Sequence, residues 1–175
     1  MTKQQMETLL VQLGNQSDAK TGAVNPPVYF STAYKHAGVG ESTGYDYTRT
    51  KNPTRTILEE GIAKLEGGDA GFACSSGMAA IQLIMSLFTP GDEIVVPEDL
   101  YGGTYRLFSV YEKSYNIKPV YAKFETVEEV AALINDNTKA LFIETPTNPL
   151  MQEIDLQAFS ALAKKHNLLL IVDNT

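Results

Sequence analysis

The sequence predicts an α/β fold, a mainly parallel sheet flanked by helices, with an extended N-terminal arm in front of it. Three observations carry this reading. From residue 70 onward, short apolar runs of strand length alternate with segments of helical period, joined by short links. Residues 20 to 50 are instead rich in Gly, Pro, Ser, Thr and Tyr and hold no lasting period, which suits an arm. Finally, 175 residues at 43% hydrophobic and 20% charged suffice for a real core and argue against disorder.

Residues 3 to 13 are expected to form a short helix. A second helix follows residue 52: Asn52 can cap it, Pro53 suits its first position and Gly67 its end. Ile57, Leu58, Ile62 and Leu65 share its apolar face. "AGFAC" reads as a strand, with Cys74 as a small buried residue. Gly77 to Phe88 reads as a largely buried helix. "EIVVP" is a strand, Thr104 to Tyr115 a helix, "IKPVYA" a strand. Val127, Val130 and Ile134 mark a helix, "ALFIE" a strand, and Leu156, Phe159 and Ala163 another helix that His166 ends. "LLLIV" closes the series as a buried strand, and Asp173 follows it at once. The expected division is an arm over 1–50 and an α/β domain over 51–175.

Charge and composition remove several function classes. A net charge of −7 disfavours a general binder of nucleic acid or anionic membrane. No strictly apolar run exceeds five residues, far short of a membrane span. The start, "MTKQQMETLLVQLG", has no apolar signal core, so the expected location is cytoplasmic. One cysteine allows no internal disulfide. His36 and His166 show no metal-ligand spacing with each other or with Cys74, so no metal is expected.

The chemistry-bearing residues collect where strands end. In "CSSGMAA" a strand turns into a helix. Ser75, Ser76 and Gly77 let the backbone approach a ligand, and the free N–H groups of a helix start attract an anion, of which phosphate is the natural guest. A plain serine cap fits the same stretch equally well. Read instead as a nucleophile elbow around Ser75, "ACSSG" has Ala73 where glycine is wanted, and no histidine follows Asp173. Tyr101, beside Gly102 and Gly103, has space to stack on a flat cofactor, or is simply a loop tyrosine. Asp173 suits holding a proton on a pyridine nitrogen, or capping a following helix. "GYDYTRTKNPTR" carries Arg49, Lys51 and Arg55, which can grip a phosphate or simply be solvated. In "ETPTNP" either X–Pro bond is open to the cis form, and Asn148 can bond a ligand or serve a turn.

Taken in order, "YDYTRTKNPTR", "SSGMAA", "DLYGGTYRLF", "ETPTNPL" and "IVDNT" resemble the Cys/Met-metabolism family of pyridoxal-phosphate enzymes, of fold type I. The resemblance runs from about residue 8 through nearly the whole chain, and is strongest to the γ-synthase and thiolyase branch of that family. It implies pyridoxal 5'-phosphate as cofactor and a γ-replacement on a small amino-acid substrate in sulfur transfer. The family's lyases, which break a C–S bond, are the alternative. Gly77 and Met78 would offer N–H groups to the cofactor phosphate, with Ser76 beside them. Tyr101 would stack on the ring and Asp173 would pair with its nitrogen. Tyr47 and Arg49 would reach the phosphate of a neighbouring subunit's cofactor, so a homo-oligomer is implied, at least a dimer and by family a tetramer. Asp46 would face the substrate amino group. Asn148 would lie near the ring oxygen or the substrate carboxylate, and Thr175 near the cofactor.

The resemblance also implies what is missing. The family's Schiff-base lysine and its C-terminal domain belong beyond the position of Asp173, and Lys51, Lys113 and Lys139 match no such position. The expectation is therefore an N-terminal fragment, inactive by itself. The alternative from another class is a non-catalytic remnant that associates with a full-length subunit.

Overall fold

A computed structural model describes residues 5–15 and 18–175. The chain divides into two compact units, Met1–Ala73 and Cys74–Thr175.

The first unit holds two helices, α1 (Met6–Val11) and α2 (Pro53–Glu66). The expected helix over 3 to 13 is met in its middle; residues 3 and 4 lie outside the described residues. Helix α2 begins and ends where its signals fall. The Asn52 side chain accepts the Thr54 N–H at 2.8 Å, and Gly67 closes the helix at φ 65°, a left-handed conformation that glycine adopts without steric cost. The Asn52 amide also donates to the Tyr29 carbonyl at 3.1 Å and the Thr48 hydroxyl at 2.7 Å, tying the arm to the helix start. Between them, among the described residues, the arm has no helix and one isolated antiparallel bridge, Ala33 to Tyr47. Val28, Phe30 and Val39 are exposed along it.

The strand expected over "AGFAC" does not form. Its N–H groups go elsewhere: Ala73 donates to the Glu59 carboxylate at 3.0 Å. Gly71 lies so close to α2 that a Cβ there would sit 2.3 Å from the Glu59 carbonyl oxygen. A segment laid on a helix in this way has no neighbouring strand to pair with. Cys74, expected to be buried, is exposed.

The second unit is a four-stranded sheet of order β2-β1-β3-β4, parallel throughout. Its elements run α3 (Gly77–Met85), β1 (Glu93–Pro97), α4 (Gly102–Tyr115), β2 (Lys118–Ala122), α5 (Val127–Ala131), β3 (Thr138–Glu144), α6 (Leu156–Lys165) and β4 (Leu169–Asp173). Strand residues alternate between two cores, as the pleat requires. Ile94, Val96, Ala140 and Phe142 pack with Ile81, Met85 and Phe108 of α3 and α4. Val95, Leu141 and Ile143 pack on the other face with Val130, Phe159 and Leu162 of α5 and α6. Phe108 meets Phe142 edge-on at 5.3 Å, fixing α4 on β3.

Two expectations about burial need correction. The segment Gly77 to Phe88 is amphipathic rather than largely buried: Leu83 and Leu87 are exposed, because only the Ile81 and Met85 side of α3 meets the sheet. The segment "LLLIV" is half-exposed, with Leu169 at 49% and Val172 at 37%, because β4 is an edge strand. Among the described residues no helix is long and apolar enough to cross a membrane.

Candidate active site

The strand order fixes where a ligand site belongs. After β1 the chain moves outward to β2; from β3 it moves the other way to β4. The loops leaving the carboxyl ends of β1 and β3 therefore diverge, and a crevice opens between them. A cavity of about 350 Å³ lies there. Ser76, Gly77 and Met78 contribute from the start of α3, Tyr101 from the loop after β1, Asn148 from the loop after β3, and Asp173 and Thr175 from the end of β4. The structure thus brings together seven of the expected site residues, drawn from four separate stretches of sequence.

Each residue is positioned by its local structure. The Ser76 hydroxyl accepts the Ala79 N–H at 3.1 Å and caps α3. The serine cap is therefore present, and the start of α3 opens on the cavity. Among the described residues the N–H groups of Gly77 and Met78 have no hydrogen-bond partner. A Cβ added at Gly77 would meet nothing within 4 Å, so neither crowding nor a positive φ calls for glycine there; it keeps the backbone open to the cavity.

Tyr101 is 44% exposed on the cavity wall. The expected open space beside its ring is filled on one side: a Cβ at Gly103 would lie 2.3 Å from Tyr101 Cε1, so the ring rests on Gly103. Asp173 Oδ1 accepts the Thr175 N–H at 3.1 Å and its hydroxyl at 2.7 Å. Oδ2 has no partner among the described residues. Both X–Pro bonds of "ETPTNP", Thr145–Pro146 and Asn148–Pro149, are cis.

Sequence reasoning missed Glu144. It ends β3, is 4% exposed, and accepts the Tyr101 N–H at 2.9 Å and the Asn148 N–H at 2.7 Å. The signal was available: an acid ending an apolar strand, as at Asp173, and the two are register partners. Thr147, buried at 1% exposure, donates to the Asp99 carboxylate and holds the same loop from below.

Most of the remaining candidates lie in the first unit. Arg49 sits over the Tyr47 ring at 5.1 Å and Lys51 over Tyr45 at 5.3 Å. Arg55 holds the carbonyls of Arg49 and Thr50, at 3.3 and 2.6 Å, and pairs with Glu59. Asp46 accepts the Ser42 hydroxyl and pairs with His36 at 2.7 Å; the hydroxyl first and the imidazole second hold its carboxyl below the ordinary value. Ser75 is exposed and outside the cavity lining, and His166 ends α6 beside the amino ends of β3 and β4, away from the carboxyl ends where the cavity lies, so the elbow reading has no base beside it. Among the described residues no group of three or more His, Cys, Asp or Glu side chains could hold a metal ion.

Chemically, the cavity offers two unpaired N–H groups for an anion, an aromatic face for a flat ring and a free carboxylate oxygen for a protonated base. The model of the Cys/Met metabolism PLP-dependent enzymes matches residues 7–175. The chain belongs to this family. Cystathionine gamma-synthase of Haemophilus influenzae is 62% identical over 177 residues, covering 100% of this chain and 48% of that protein. Cystathionine gamma-synthase/O-acetylhomoserine (thiol)-lyase of Bacillus subtilis is 58% identical over 172 residues, covering 98% and 46%. Cystathionine gamma-lyase of the same organism is 48% identical, covering 97% and 45%. Among solved structures, cystathionine gamma synthase from Xanthomonas oryzae pv. oryzae in complex with cystathionine superposes with a TM-score of 0.94 at 40% identity, covering 99% of this chain and 45% of that one. The chain spans about half the length of the curated relatives it matches. The α/β sheet described above therefore corresponds to part of the large domain of these fold type I enzymes.

Proposed function

We propose that the protein carrying this chain is a pyridoxal-phosphate-dependent γ-replacement enzyme of sulfur amino-acid metabolism, of the cystathionine γ-synthase or O-acylhomoserine sulfhydrylase type. The observation that carries the cofactor assignment is the convergence of unpaired N–H groups, Tyr101 and Asp173 on one crevice. In this reading Gly77 and Met78 bind the phosphate, with the Ser76 cap holding them in place. Tyr101 covers one face of the ring, Asp173 keeps a proton on its nitrogen, and Thr175 orients Asp173. Asn148 bonds the ring oxygen or the substrate carboxylate. When bound, the cofactor supplies an electron sink for charge that develops on the substrate.

The arm has its own part in the proposal. Tyr47 and Arg49 reach the cofactor phosphate of a neighbouring subunit, and Asp46 faces the substrate amine. Exposed Val28, Phe30 and Val39 favour an arm covered by another chain, hence a homodimer or a tetramer. The higher identity to γ-synthases than to the γ-lyase favours replacement over elimination, with the lyase activity as the second reading. Among the described residues no lysine lines the cavity. We therefore propose that the anchoring lysine comes from outside these 175 residues, and that they catalyse nothing alone.

The test uses the protein purified from its source. Borohydride reduction followed by intact mass should show a pyridoxal-phosphate adduct on a species heavier than 19.2 kDa. Incubation with an O-acylhomoserine and cysteine should yield cystathionine faster than cystathionine itself is broken down; the reverse order would replace the synthase reading with the lyase. Near-normal turnover in Asp173→Ala would overturn the role given to Asp173. A 19.2 kDa species without adduct would favour a non-catalytic remnant.

A further inference from the structure

Glu144 is a buried carboxylate that no Lys or Arg of the described residues pairs with. Burying such a group is costly unless hydrogen bonds replace its water. Here both oxygens are used, and on two different loops. Oε2 takes the N–H of Tyr101, on the β1 side of the crevice; Oε1 takes the N–H of Asn148, on the β3 side. The Tyr101 residue begins α4 without any side-chain cap of its own, so the carboxylate also sits where the helix dipole favours negative charge. The two loops diverge because the strand order reverses between them. Asp99, two residues before Tyr101 on the first loop, also takes the Thr147 hydroxyl and the Leu150 N–H of the second, whereas Glu144 reaches Tyr101 and Asn148 themselves.

We propose that Glu144 is a positioning residue, a single carboxylate that clamps the two walls of the crevice and fixes the Tyr101 ring relative to Asn148. Its catalytic consequence rests on the pyridoxal-phosphate reading given above; the clamp itself does not. An apolar residue at this position would fill the same volume and leave two N–H groups without acceptors. Glutamine would keep one acceptor and turn an NH₂ toward the other N–H, so one wall would come loose while the shape stayed the same.

The experiment measures amide hydrogen exchange in the intact, cofactor-free protein, followed by pyridoxal-phosphate titration of the same samples. Glu144→Ala should speed exchange at both Tyr101 and Asn148, by roughly 10- to 150-fold for each charge-assisted bond lost. Glu144→Gln should do so at one of the two, and it serves if the alanine variant does not fold. Thr147→Val, which breaks the Asp99 contact, should speed exchange over Leu150 to Gln152 and leave Tyr101 unchanged. On titration, both Glu144 variants should release the cofactor faster and weaken its induced circular dichroism. Unchanged protection at both amides in Glu144→Gln overturns the clamp. So does a lowered thermal midpoint with unaltered cofactor release and dichroism, which is what a merely structural residue would give. If the unmodified protein fails to bind pyridoxal phosphate, the cofactor reading falls, and the exchange data still decide the clamp.

Discussion

Replacing Gly103 with alanine should separate folding from cofactor binding. Gly103 is the second residue of α4, and its φ lies outside the left-handed region, so alanine fits the backbone there. Helix propensity and reduced freedom of the unfolded chain favour alanine by about 0.5–1 kcal/mol. The new methyl would nevertheless lie 2.3 Å from Tyr101 Cε1 and 3.0 Å from Cδ1 and Cζ. Ordinary carbon contacts are near 3.5–4.0 Å, so the ring must withdraw by roughly 1.5 Å. It can do so at small cost to stability, since Tyr101 is 44% exposed. A withdrawn ring stacks poorly. Losing about 0.5–1.5 kcal/mol of aromatic stacking weakens cofactor binding by roughly 2- to 13-fold. The assay is pyridoxal-phosphate titration of the intact, cofactor-free protein, with urea denaturation of the same sample. Gly102→Ala is the control, because its Cβ meets only the mobile end of Arg106 at 3.4 Å. Equal affinity in the Gly103 variant and its control would refute the placement of the ring as a stacking wall.

Other perturbations test separate links. Ser76→Ala removes the cap of α3 and should cost about 1 kcal/mol in urea unfolding, whereas Ser76→Gly should cost only a few tenths. Glu93 is held below its ordinary carboxylate value by the Asn135 amide first and Lys118 second, at 2.8 and 3.0 Å. Its folded value is depressed, so the stability it contributes is present above pH 4.5 and is lost as pH falls through the lower folded value. The stability difference between wild type and Glu93→Gln should shrink across that acid window in urea melts at stepped pH. The Tyr121 phenol is pushed up to about 12 by burial first and by Tyr105 and Glu112 after it. Stability should therefore fall as pH rises from 10 toward 12, and absorbance at alkaline pH should show one tyrosine ionising late, which Tyr121→Phe abolishes.

The sheet was legible because its strands carry their own evidence. "EIVVP" and "ALFIE" are buried on both faces, so they read as continuous apolar runs bounded by turns, and both formed where expected. The caps of α2 were legible for a local reason: Asn52, Pro53 and Gly67 act within a few residues of one another. "AGFAC" misled because apolarity marks a candidate strand, while a partner strand makes it one, and partners are not local. The exposure of Leu83, Leu169 and Val172 was likewise invisible, since it depends on which faces the rest of the fold leaves uncovered. Glu144 escaped because its partners are main-chain N–H groups, which every residue but proline has; Tyr101 lies 43 residues away along the chain.

The two acids at the strand ends show how one local pattern serves two purposes. Glu144 and Asp173 end neighbouring parallel strands in register, and register partners point to the same side of a sheet. Both therefore face the crevice. What distinguishes them is what the topology places above each. β3 borders β1, so the loops of both strands fold over Glu144 and supply one N–H donor to each of its oxygens. β4 has β3 as its one neighbour among the described residues, and there Asp173 takes the N–H and the hydroxyl of its own near neighbour Thr175, both on a single oxygen. A carboxylate with a main-chain donor on each oxygen is tied to both loops and positions what they carry. A carboxylate with one oxygen free can meet a protonated base directly. The roles proposed for them, positioning at Glu144 and holding a proton at Asp173, fit this difference in surroundings, with no difference in residue type between them beyond one methylene.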